Sequence, residues 1–136
     1  VAKIKTRRVD RSLYANYLKK TEECLASACR SFAVGEWNAS AINSIHSAIS
    51  SIDAMCVFFL GQRHSGDSHD GSVALLQTIK ELDRKDLNAI INRTSRILSL
   101  KNMAEYEERL VSNAEAEKAL KDADRLLQFV KSKLPK

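Results

Sequence analysis

The stretch from Trp37 to Leu60 holds neither proline nor glycine, and its apolar residues recur on a helical period: Ala41, Ile42, Ile45, Ala48, Ile49, Ile52, Met55, Cys56 and Phe59. A run of that length and period dictates a long helix, from about 36 to 60, and makes the chain an all-α one. The rest of the sequence agrees. Its glycines are Gly35, Gly61, Gly66 and Gly71, and its proline is Pro135, so the frequent turns of a β-rich fold are missing. Serines at 40, 44, 47 and 51 give the long helix a second, small-residue face. Small residues let helices approach closely, which predicts packing on more than one side and motivates an expected homodimer. The same stretch carries His46, Asp53 and the serines, so it is expected to be a buried core helix, with no membrane as partner.

Four more helices are predicted around it. Asp10 or Ser12 can cap a first helix over about 11–33, whose stripe is Tyr14, Tyr17, Leu18, Thr21, Leu25, Ala28, Cys29 and Phe32. Gly35 stops it, because a left-handed residue after a helix favours glycine. A short third helix is expected over about 72–82, with Val73, Leu76 and Ile79 inward. A fourth opens at Lys85 or Asp86 and runs to about 100 through Leu87, Ile90, Ile91, Thr94, Ile97 and Leu98. Residues 101–112 are expected to be an acidic connector, after which Ser112 and Glu115 form a capping box for the last helix. Short links favour antiparallel neighbours. The expected fold is therefore a five-helix up-and-down antiparallel bundle with a short third helix, one domain over 1–136 of which 1–9 is a frayed basic arm.

Formal net charge is +5, too modest to establish a nucleic-acid binder by itself. Its distribution says more: Lys3, Lys5, Arg7 and Arg8 crowd one terminus, and Lys131, Lys133 and Lys136 the other. Cys24, Cys29 and Cys56 form no C-x-x-C pair and fall among apolar residues, so they are expected to be buried thiols in a reducing cytoplasm. No phosphate-loop or dinucleotide motif occurs, and neither a metal nor an organic cofactor is expected.

Two sets of polar residues are candidates for binding. Residues 61–72 form a polar, glycine-rich loop, and loops on rigid scaffolds often carry function. There Arg63, His64 and His69 stand with Gly66 and Gly71, whose backbone N–H groups could face an anion, and Ser72 is placed at the expected start of the third helix. Asp67 and Asp70 oppose an anion there. The second set is Asn43, His46, Ser50 and Asp53, spaced to share one helix face. These either hydrogen-bond to one another inside the bundle or edge a groove.

A family resemblance rests on ordered segments. Tyr17-Leu-Lys-Lys-Thr-Glu-Glu-Cys-Leu-Ala-Ser-Ala, followed by Gly35-Glu-Trp-Asn-Ala-Ser-Ala-Ile-Asn-Ser-Ile-His-Ser-Ala, resembles the first two helices of HEPN (higher eukaryote and prokaryote nucleotide-binding) domains. His69-Asp-Gly-Ser-Val-Ala-Leu-Leu is similar to the segment after that family's loop. Ala104-Glu-Tyr-Glu and Glu115-Ala-Glu-Lys-Ala-Leu-Lys-Asp-Ala are similar to its last connector and helix. The resemblance implies a five-helix bundle, often dimeric, among whose members are metal-independent ribonucleases, toxins of toxin–antitoxin pairs and binding partners of a minimal nucleotidyltransferase.

The ribonuclease members carry an arginine and a following histidine near the start of a late helix. The histidine would move protons and the arginine would stabilise phosphate charge. The matching segment here is Lys101-Asn-Met-Ala-Glu-Tyr106, with lysine for arginine and tyrosine for histidine. Lysine lacks the planar fork, and tyrosine is a poor base at neutral pH. Arg63 and His69 fit the letter spacing but lie in the loop. The leading expectation is thus a non-catalytic module that binds a nucleotide, RNA or a nucleotidyltransferase. The alternatives are a ribonuclease or toxin using Arg63 and His69 or a divergent Lys101/Tyr106 site, and a structural adaptor that dimerises.

Overall fold

The computed structural model describes residues 4–66 and 70–135, with Asp70 described in its backbone alone. The elements are β1 (Thr6–Arg8), a single 3-10 turn (Arg11–Leu13), α1 (Tyr14–Ala33), α2 (Trp37–Leu60), β2 (Gln62–His64), α3 (Asp70–Leu76), α4 (Arg84–Tyr106) and α5 (Asn113–Lys133).

Local chemistry sets most boundaries. Asp10 accepts from the Ser12 backbone N–H and hydroxyl at 2.9 and 2.7 Å and so starts the first turn. Gly35 at φ 78° lets the Glu36 N–H reach back to the Ser31 carbonyl at 2.9 Å, closing α1. Asp83 caps α4 by accepting from the Lys85 N–H at 2.8 Å. The expected capping box is present on α5: Ser112 Oγ accepts from the Glu115 N–H at 3.1 Å, and the Glu115 carboxylate accepts from the Ser112 N–H at 3.0 Å.

Cross-helix bonds fix the directions. Ser40 Oγ donates to the Ala28 carbonyl, while Thr21 Oγ1 meets Ser47 and Ser51, so α1 and α2 are antiparallel. Arg96 pairs with Asp122 and Lys133 with Asp86, so α4 and α5 are antiparallel. Lys131 at the end of α5 meets Glu22 in the first half of α1, and Ala116 at the start of α5 shares a cluster with Phe32 at the end of α1, which makes α5 antiparallel to α1 as well. The four long helices therefore run up and down. The centre of the core is α2, whose fully buried Ile45, Ile52 and Met55 belong to one cluster with Leu76, Ile90, Leu126 and Val130 of the surrounding helices. By length and composition α2 could cross a bilayer; here α1, α4 and α5 all pack on it.

The serine face is spent inside the bundle. Ser40, Ser44, Ser47 and Ser51 are all completely buried. Thr21 Oγ1 donates to the Ser47 carbonyl at 2.6 Å, and Ser47 Oγ donates back to the Thr21 carbonyl at 2.9 Å. Close approach of α1 uses this face, and self-association would need another surface.

Several expectations are corrected. Over its described residues the basic arm is not frayed: β1 pairs antiparallel with β2, with Thr6 opposite His64, Arg7 opposite Arg63 and Arg8 opposite Gln62. The third helix starts at Asp70 and stops at Leu76, and Ile79 and Leu82 are buried from a turn that follows it. The first half of the acidic connector is helix. α4 continues to Tyr106 because Leu100, Met103 and Ala104 prolong its period, and Met103 packs on Ala41, Val111 and Ala116. Of the thiols, Cys56 is buried, Cys24 is half-buried and Cys29 is exposed, since α1 buries only the Thr21, Leu25, Ala28 line.

Candidate functional site

The ribbon of β1 and β2 is formed where α2 ends. Gly61 takes a left-handed φ of 64° and turns the chain back along the arm. The Val9 N–H then donates to the Gly61 carbonyl, and the Ser65 N–H to the Lys5 carbonyl, each at 3.0 Å. Residues directly opposite in an antiparallel pair project from the same face, so Arg7 and Arg63 share one. Like charges so placed repel. Arg63 turns aside, its Nη1 donating to its own neighbour's carbonyl, His64 O, at 3.1 Å. Beside the ribbon, Arg8, Asp10, Arg11, Gly61 and Gln62 line a groove of about 660 Å³. Arg11 reaches the Phe58 carbonyl at 3.5 Å.

Cations gather on and beside the ribbon. Of the other cations, Lys19, Arg96, Lys101, Arg109, Lys121, Lys131 and Lys133 each meet a carboxylate within 4 Å, while Lys20, Arg30, Lys80, Arg84, Lys85, Arg93, Lys118 and Arg125 meet none among the described residues. Among the described residues, Lys5, Arg7, Arg8, Arg11 and Arg63 have no such partner. Asp53 of α2, within electrostatic reach of Arg63, is 9% exposed. Burial pushes its carboxyl up to about 7, against the pull of Arg63 and Lys20. The antiparallel topology also carries Lys131 and Lys133, at the end of α5, to the same end of the bundle as the arm.

The rest of the expected loop site is rearranged. His64 is 8% exposed and faces inward. Its Nε2 accepts from the Gly66 N–H at 3.2 Å, and burial, followed by the charge of Arg63, holds its pKa below the usual value. The Gly66 N–H is thus spent on the His64 ring, and Gly66 and Gly71 share a second role. They make room for the ring: a Cβ at Gly66 would lie 2.8 Å from Nε2, and one at Gly71 would collide with the ring outright. Ser72 is buried within α3 and does not start it. His69 lies outside the described residues, and with it the proposed Arg63/His69 pair. Of the loop candidates, Arg63 is the one placed in the cationic surface.

Because the His64 ring is enclosed, it cannot swing away from an added methyl group. Gly71→Ala is expected to cost about 1–3 kcal/mol through overpacking, read as a lower urea midpoint with an unchanged slope. A midpoint equal to the parent's would show that the ring is not confined.

The helix stripe splits. Asn43 Nδ2 donates to the Ala39 carbonyl at 3.1 Å. His46 is exposed and lies 3.1 Å from Glu105 of α4, which also binds Lys101 at 2.8 Å. Asp53 stands two turns further on, under the ribbon, so no single network or groove unites the set. Burial works to raise the Glu105 carboxyl, but the bonds from Lys101 and His46 outweigh it and hold the pKa below its usual value. Lys101 also lies 5.1 Å above the Tyr106 ring. Ile42, His46, Ile49, Lys101, Glu105 and Tyr106 line a groove of about 550 Å³. The resemblance implies a catalytic segment near a helix start, whereas Lys101–Tyr106 closes α4. There the helix dipole is negative, and Glu105 adds a negative charge, so a phosphate is disfavoured. No signal in the sequence joins His46 to Glu105, which is 59 residues away.

The family model of the HEPN domain matches residues 14–133. Arg63, His46 and Lys101 fall inside that match, and the arm from Lys5 to Arg11 precedes it. Among solved structures, TT1696 from Thermus thermophilus superposes with a TM-score of 0.69 at 19% identity, covering 90% of this chain and 98% of that one. At that identity the likeness concerns the fold. No curated protein matches the chain.

Proposed function

The chain belongs to the HEPN domain family, and on that premise we propose that it is a binding module that holds RNA by its phosphates on the ribbon without cutting it. The observation that carries this reading is the gathering of Lys5, Arg7, Arg8, Arg11 and Arg63 on and beside one two-stranded ribbon, where among the described residues none of them meets a carboxylate within 4 Å. These charges are spread along a ribbon and do not converge on one enclosed cavity. That favours a strand with several phosphates over a single nucleotide. Tyr14 packs edge-on against Phe58, with ring centroids 5.1 Å apart, so this nearby aromatic is engaged in the fold and binding rests on phosphate contacts, with little preference for sequence.

A ribonuclease is the second reading, supported by His46 held by Glu105 beside Lys101. Against it stand the negative end of α4 and the neutralisation of Lys101 by Glu105.

One experiment addresses both. A fluorescent twelve-nucleotide oligouridine is titrated with the protein between 50 and 200 mM salt and then resolved on a gel. With four or five phosphate contacts, the slope of log K against log salt is expected to be about −3 for a single strand, and the RNA should remain intact. A flat salt response or no binding overturns the ribbon site. Cleavage by the parent that disappears in His46→Ala overturns the non-catalytic reading.

A further inference from the structure

A second pocket lies away from the ribbon, between α4, α5 and the segment that joins them. Its volume is about 310 Å³, at the lower end of small-molecule sites. The apolar part of its lining is Ile97, Leu100, Met103 and Ala119. Two arginines also line it, and both have their donor edges occupied. Arg96 donates from Nε and Nη2 to the two oxygens of Asp122, at 3.3 and 3.0 Å. Arg109 donates from Nη1 and Nη2 to the two oxygens of Glu115, at 3.1 and 2.8 Å. The Arg109 bonds hold the Glu115 carboxyl down to about 2, so this pair persists across the ordinary pH range.

A guanidinium whose edge is committed still offers its flat faces, and flat aromatic rings stack on them. Both arginines stay accessible, with side chains 45% and 57% exposed. Lys118 also lines the pocket and, among the described residues, meets no carboxylate. It is the cation left over for an incoming charge.

We infer that this pocket binds a small, flat aromatic anion, the ring against the apolar lining and the arginine faces, the charge against Lys118. The site is independent of the ribbon, uses none of its residues, and its success or failure leaves the RNA reading untouched.

The probe is 8-anilinonaphthalene-1-sulfonate, titrated into the intact protein and followed by fluorescence. One saturable site is expected on the parent. Ala119→Phe, which fills the pocket from α5, should abolish it, and Lys118→Gln should weaken it about threefold, as suits one exposed charge. Ser99→Trp fills the same pocket from its exposed rim, and it decides the matter if far-UV circular dichroism shows that Ala119→Phe has not folded. Non-saturable fluorescence on the parent, or the same saturable fluorescence in a folded filling variant, overturns the assignment.

Discussion

Asp53→Asn is expected to make the protein more stable at pH 8, by about 1–3 kcal/mol. Asp53 lies on the inner side of α2, 9% exposed, and among the described residues none donates a hydrogen bond to it. Burial lifts its pKa from 3.8 to about 7, although Arg63 and Lys20 oppose the rise. The sign follows from proton linkage. Between about 4 and 7 the folded protein holds a proton here that the unfolded chain has released, so stability falls as pH rises through that window. Above it both states are ionised, and the full cost of the buried charge remains. At 1.36 kcal/mol for each pKa unit, that cost has a ceiling of roughly 4 kcal/mol. Structural relaxation, and the asparagine's own need for hydrogen-bond partners, lower the expected gain.

Urea unfolding of parent and variant at pH 5 and pH 8 checks this. The difference between the two proteins should be small at the lower pH and large at the higher. A variant less stable than the parent at pH 8 would mean that the Asp53 charge is needed, through Arg63 and Lys20, to hold the ribbon end together.

The bundle was legible in the sequence because its determinants are local. The period of Ala41 to Phe59, the stop at Gly35 and the Ser112/Glu115 box each act within a few residues, and each stands where it was expected. The ribbon was not legible. Its strands are three residues each, too short to show alternation, and they pair across more than fifty positions by backbone bonds that encode no side-chain pattern. The end of α4 was missed because Glu105, Glu107 and Glu108 gave the segment the composition of a connector, while only Met103 and the small Ala104 carry the apolar face beyond Leu100.

The candidate site shows the same division. Arg63 could be singled out from its loop, and Lys5, Arg7 and Arg8 from their crowding, but not the register that sets Arg7 opposite Arg63. His64, Gly66 and Gly71 suggested an anion cradle by composition. In space they are a buried ring and the two gaps that admit it. Composition identifies the residue types in a loop, but it does not say which of them the core will claim.

The central claim is that the ribbon's cations hold RNA. It is tested most directly by measuring the affinity of the oligouridine for Arg7→Glu/Arg63→Gln beside the parent at 50 mM salt. Arg7 is exposed and Arg63 half-buried, so the first is reversed and the second replaced by an uncharged side chain of similar reach. The pair of changes removes three units of positive charge from one face of the ribbon. An affinity loss of about 30-fold or more is expected, with an unchanged helical spectrum and a shallower salt slope. His46→Ala/Lys101→Gln, on the other groove, should bind as the parent does. If the folded ribbon variant binds within twofold of the parent, or if the His46/Lys101 variant is the one that loses affinity, the RNA does not lie on the ribbon and the account is contradicted.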